Sequence, residues 1–126
     1  MGPSRVRAPG VPPAPGAVAA VARVALLCPD LLFGSRLRSA LENAGHEVLD
    51  AAASASAEAD VLVVDLTDDA ESRVAAAAGS SMPVLGFYSH VEQDVRQAAE
   101  AAGFTRVVPR SRMAREGPAL VEALLA

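Results

Sequence analysis

From residue 23 onward, short apolar runs alternate with longer segments of helical period, and one run stands apart. Val61-Leu62-Val63-Val64 continues without a polar break and ends in Asp65-Leu66. A run of β-branched and aliphatic residues this short reads as a strand buried on both faces, as in the centre of a parallel sheet. Such sheets carry their ligand chemistry at the carboxyl ends of the strands, which is where Asp65 falls. Residues 24–28 form an earlier strand, followed at once by Pro29-Asp30. Asp30 is then the N-cap of a helix whose Phe33, Leu37, Ala40, Leu41 and Ala44 recur at helical spacing, with Arg38 and Glu42 paired on its outer face. Gly45 supplies the left-handed cap, and 46–51 alternate as a second strand.

The segment 52–60 is rich in Ala and Ser, enough for two helical turns at most. After the central strand, Thr67-Asp68-Asp69 suits a helix N-terminus, and 70–78 is a short helix stopped by Gly79. Residues 82–88 are the fourth strand, with Pro83 tolerable near its start. Ser89 and Glu92 have capping-box spacing. They open a helix with a core face of Val91, Val95, Ala98, Ala99 and Ala102, closed by Gly103. A fifth strand over 104–108 leads through Pro109-Arg110-Ser111 into a last helix that buries Leu120, Val121, Leu124 and Leu125, where Pro118 fits a first turn. Five strands alternating with five helical segments predict right-handed crossovers and a parallel sheet covered on both faces, an α/β architecture of three layers.

Residues 1–22 carry Pro3, Pro9, Pro12, Pro13 and Pro15 with three glycines and no apolar period, so a disordered tail is expected ahead of one domain over 23–126. Arg5 and Arg7 before an Ala/Val stretch raise a signal peptide as the alternative, although the prolines interrupt its apolar part. A downstream start at Val18, Val21 or Val24 is a third reading.

Composition narrows the function classes. The chain has 126 residues, 52% of them apolar, enough to bury one core. No run approaches the roughly 18 apolar residues of a membrane span. A net charge of −4 argues against a general nucleic-acid binder, and all eleven basic residues are arginine, a compositional bias. A single cysteine excludes an intrachain disulfide.

In its order of motifs the sequence resembles the receiver domains of bacterial response regulators over roughly residues 23–126. The residues concerned are the strand ending at Asp65, the Pro83-Val84-Leu85 strand feeding Ser89-His90, and Ala98-Ala99-Glu100-Ala101-Ala102-Gly103 leading into Val107-Val108-Pro109-Arg110. The resemblance implies a flavodoxin-like five-stranded parallel sheet of order 2-1-3-4-5, a cytoplasmic protein, and Asp65 in the phosphoacceptor position, with Arg110 where the family has a lysine. It also exposes departures. The acidic pair that holds Mg²⁺ in receivers falls on Cys28 and Pro29, with Asp30 one residue late. The switch Thr or Ser falls on Tyr88, with Ser89 one place on. Phosphoryl transfer between two anions needs a cation to offset repulsion, and neither Cys28 nor Pro29 supplies side-chain oxygen.

The resulting expectation is a pseudoreceiver: no enzyme, no cofactor, a protein-interaction module in bacterial signalling. Arg106, Val107, Arg112 and Arg115 are candidates for its contact face. The partner is an unidentified protein or a second copy of the chain, with neither membrane nor nucleic acid bound directly. No output domain follows within these residues, so any effect is expected to pass through that partner. The alternative is a phosphorelay receiver labelled on Asp65, with Mg²⁺ held with help from Asp30 or Asp68. A third reading is an anion or small-ligand sensor built on Arg110, Ser111 and the helix start at Ser89.

Each candidate residue also has a plainer role. Asp65 is expected to pair with Arg110, and Ser89 to cap a helix. His90 beside Ser89 invites a Ser/His/Asp triad, which the adjacency disfavours. His46 is expected to be solvated, and Cys28 to be a small core residue or, failing that, a redox sensor.

Overall fold

The computed structural model describes residues 22–50, 59–89 and 93–125. The strands are β1 (Arg23–Leu27), β2 (Glu47–Asp50), β3 (Val61–Asp65), β4 (Val84–Tyr88) and β5 (Arg106–Pro109). The helices among these residues are α1 (Leu31–Asn43), α2 (Ala70–Ala77), α3 (Gln93–Ala101) and α4 (Arg110–Leu125). All strand pairings are parallel, in the order β2-β1-β3-β4-β5. This is the expected three-layer, flavodoxin-like architecture. Most of the expected tail, residues 1–21, lies outside the described residues, as do 51–58 and the capping segment 90–92 that contains His90. Ala22, expected to close the tail, is instead buried in the core at the foot of β1.

Two-residue periodicity in the strands divides the core between the two faces of the sheet. Val24, Leu26, Val61, Val63, Leu85, Phe87 and Val108 join Leu37, Leu41, Met113, Leu120 and Val121 beneath α1 and α4. Ala25, Leu27, Leu62, Val64, Tyr88 and Val107 join Ala77, Ala99 and Phe104 beneath α2 and α3. Every residue of β3 and β4 is buried, which is why their sequences are continuous apolar runs. Gly86 is required on the second face, because a Cβ there would lie 2.8 Å from the Phe104 ring. Ala98, expected on the core face of α3, is exposed; that short helix buries Ala99 and half-buries Val95.

Helix boundaries follow local chemistry. The Asp30 carboxylate accepts the Phe33 N–H at 3.0 Å, capping α1 as its sequence predicts. Gly45 takes φ +98° just past the end of that helix. The last helix begins at Arg110, earlier than its apolar face suggests, and breaks at Glu116 (φ −127°, ψ 17°). Pro118 therefore falls in the first turn of the second segment, where its missing N–H costs little.

Candidate functional site

Alternation decides which side chains can meet at the carboxyl end of the sheet. Val61 and Val63 face α1 and α4, so Asp65 faces the same way, as does Cys28 after Val24 and Leu26. The Cys28 thiol lies 3.5 Å from Asp65 Oδ2 and donates to it. The Thr67 N–H and hydroxyl donate to Asp65 Oδ1 at 2.8 and 2.6 Å. Arg73 secures the same turn from the backbone side, donating to the carbonyls of Asp65 and Asp68 at 3.0 and 2.9 Å. Asp65 is 1% exposed, so this closed arrangement, and not solvent, satisfies its carboxylate.

The Cys28 thiol is pushed up to about 12 by burial, and then by the charge and hydrogen bond of Asp65. It is therefore a neutral donor at physiological pH. A sensor cysteine needs the opposite shift, so the redox reading of Cys28 loses its chemical basis.

The expected Asp65–Arg110 pair is not formed. Arg110 donates to Asp30 Oδ2 at 3.1 Å and lies over the Phe33 ring, 4.4 Å from its centroid. Phe33 in turn packs on Phe87, with centroids 5.0 Å apart. The rings of Phe33 and Phe87 account for the change. β4 separates β3 from β5, and Phe87 is the residue paired with Asp65 across that gap, so aromatic rings fill the space a guanidinium would have to cross. The Arg110–Asp30 pair is half-exposed on both sides and is worth at most about 1 kcal/mol.

This donor set does not suit Mg²⁺. Both oxygens of Asp65 are engaged, Cys28 is a neutral thiol, Pro29 has no oxygen, and Asp30 is held by the Phe33 N–H and Arg110. Asp68 lies on the exposed turn that Arg73 holds through its carbonyl. Among the described residues no three acidic, His or Cys side chains converge as ligands.

Other candidates are brought together or dispersed. Tyr88 follows Phe87 and so points to the opposite face, buried among the α2/α3 core residues and away from Asp65. Ser89, Thr67, Arg110 and Ser111 share a groove of about 720 Å³ with Phe33, Arg36 and Ala114. Arg36 in this groove escaped sequence reasoning, because an exposed helical arginine carries no signal until α4 is laid beside α1. Of the basic cluster, Arg112 and Arg115 both pair with Glu116 at 3.3 and 3.5 Å. Arg106 lines a smaller groove beside Tyr88, Arg96, Glu100 and Arg112. Val107, expected on the contact face, is buried.

His46 is also misplaced by the sequence reading. It is buried, with Nδ1 accepting the Ala22 N–H at 3.1 Å and Nε2 3.0 Å from Glu122 Oε2. A histidine just after a helix cap reads as solvated until Ala22 and Glu122 converge on it from just before β1 and from α4.

Solved structures that this chain resembles include several response regulators. A phosphorylated cyanobacterial phytochrome response regulator, RcpA, superposes with a TM-score of 0.64 at 16% identity, over 85% of this chain and 96% of its own. A LuxR-family two-component response regulator from Aurantimonas sp. SI85-9A1 gives 0.68 at 23% identity, over 84% and 86%. The ChxR receiver domain from Chlamydia trachomatis gives 0.56 at 12% identity, over 83% and 96%. No protein-family model and no curated protein sequence matches the chain. At these identities the likeness is one of fold, and the fold of this chain is that of the response-regulator receiver domain.

Proposed function

We propose that the chain is a non-catalytic pseudoreceiver, a protein-interaction module of bacterial signalling whose output does not depend on phosphorylation. The observation that carries this reading is the state of Asp65. Its carboxylate is buried, both oxygens are taken by Thr67 and Cys28, and the positions that would bring metal ligands hold a neutral thiol and a proline. An attacking carboxylate must be reachable by phosphate and by a cation that offsets the repulsion between them. Here phosphorylation would require breaking three hydrogen bonds to the residue and assembling a metal site from side chains engaged elsewhere.

Signalling through contact then falls to the surface. The face of α3, β5 and α4 offers Arg96, Arg106, Arg112 and Arg115, of which Arg106 makes no ion pair among the described residues. Amide spectra recorded with Mg²⁺ and beryllofluoride, together with a phosphate-affinity gel after acetyl phosphate, test the proposal. Unchanged spectra around Asp65 and no slow-migrating band are expected. A shift centred on Asp65, or a band abolished by Asp65→Asn, overturns it in favour of a phosphorelay receiver.

A further inference from the structure

The groove between α1 and α4 combines two kinds of lining that a small ligand could use together. Toward the carboxyl end of the sheet it presents Arg36, Arg110, Ser89 and Ser111. The side chains of Arg36 and Ser111 have no hydrogen bond or ion pair among the described residues, and Arg110 spends one nitrogen on Asp30. Adjoining it is a recess of about 170 Å³ lined by Phe33, Leu37, Ala40 and Ala114, with Arg36 at its edge. Phe33, Arg36 and Ala114 line both, so the two spaces adjoin.

We propose that this groove binds a small organic phosphate without metal, its phosphoryl group held by Arg36, Arg110, Ser89 and Ser111 and an apolar substituent resting in the Phe33–Leu37–Ala40–Ala114 recess. The donors match the ligand's chemistry. Two guanidiniums and two hydroxyls face three acceptor oxygens, and an arginine fork binds phosphate bidentately. Arg110 is already oriented by Asp30 and by stacking on Phe33, so little rotamer freedom remains to be lost on binding. A recess on the order of 150 Å³ accommodates about one phenyl ring. The Asp65 carboxylate takes no part, because Thr67 and Cys28 close it off.

Titration of the full chain with phenyl phosphate and with inorganic phosphate in EDTA, followed by amide spectra and calorimetry, tests the site. EDTA separates this test from that of phosphorylation, which requires Mg²⁺. Saturable binding of phenyl phosphate is expected, tighter than that of inorganic phosphate. Arg36→Gln removes an unpaired exposed charge without touching the core and should weaken both ligands about tenfold. Ala40→Leu, a helix-compatible change at a half-buried residue that lines the recess and not the phosphate groove, fills the recess and should weaken phenyl phosphate about tenfold while sparing inorganic phosphate. The proposal is overturned by no saturable change up to about 10 mM. It is equally overturned by affinities that neither variant alters, or by phenyl phosphate binding no tighter than inorganic phosphate.

Discussion

Apart from the phenol of Tyr88, Asp65 and His46 are the two buried polar side chains among the described residues, 1% and 4% exposed, and they lie at opposite ends of the sheet. Asp65 closes the carboxyl end of β3 and draws two of its three hydrogen bonds from Thr67, two residues along the chain. His46 precedes β2 at the amino end and draws both of its bonds from afar, one from Ala22 before β1 and one from Glu122 late in α4. The difference is one of reach. A locally satisfied carboxylate fixes a turn, whereas a histidine bridging three distant segments holds the first strand, the second strand and the last helix together. The end of the molecule that resembles a reaction site is thus the less demanding of the two for the fold.

His46→Ala should produce the larger damage. It leaves the Ala22 N–H and the Glu122 carboxylate without their partner and opens a void, for a cost of about 3 kcal/mol. The urea midpoint should fall accordingly with little change in slope. A loss below about 1 kcal/mol would mean that His46 bridges nothing of consequence. At the other end, Thr67→Val keeps the shape and the N–H donor but removes the hydroxyl from a buried carboxylate. About 2 kcal/mol is expected from the same measurement, since hydrogen bonds to charged groups are the stronger ones. If Thr67→Val cost more than His46→Ala, the contrast between the two ends would be reversed.

Sequence patterning revealed the scaffold more fully than the contacts at either end. Strand and helix periods reflect burial, and burial in a doubly wound sheet is nearly continuous along β3 and β4, so those elements and their order were legible. Asp65 was legible as a position, because it ends the most apolar run. Its partners were not. Choosing Arg110 as the counter-charge ignored the rings of Phe33 and Phe87, which become neighbours through α1 and β4. Choosing Tyr88 as part of the site ignored the alternation that turns it toward α3. His46 was missed for the same reason: its two partners are 24 and 76 residues away, and no local pattern marks them.

Asp65→Asn refines the reading of the carboxyl end. The amide is nearly isosteric, its oxygen can still accept from Thr67, and burying a neutral group is cheaper than burying an ion, so stability should change by no more than about 1 kcal/mol. The informative readout is Cys28. Burial is the first cause of its raised pKa, followed by the charge and hydrogen bond of Asp65. Removing the charge should bring the midpoint of iodoacetamide alkylation below about 12 while burial keeps it above 9.0. An unmoved midpoint would mean that the thiol does not face Asp65.

The smallest effect expected is also the one that reads the state of His46. Its Nδ1 accepts the Ala22 N–H and so cannot carry a proton, which leaves the hydrogen on Nε2, pointing at Glu122. A neutral imidazole donating to a carboxylate needs an acceptor oxygen and no charge. Glu122→Gln preserves that oxygen, and Glu122 is about one-third exposed, so solvent screens the charge that is lost. A cost of about 0.5 kcal/mol is expected, well short of His46→Ala. Were His46 an imidazolium, its Nδ1–H would oppose the Ala22 N–H, and its attraction to Glu122 would have to compensate. Glu122→Gln would then approach the loss seen for His46→Ala. Nitrogen-15 chemical shifts of the ring, distinct for the neutral tautomers and the cation, separate the two cases without reference to stability.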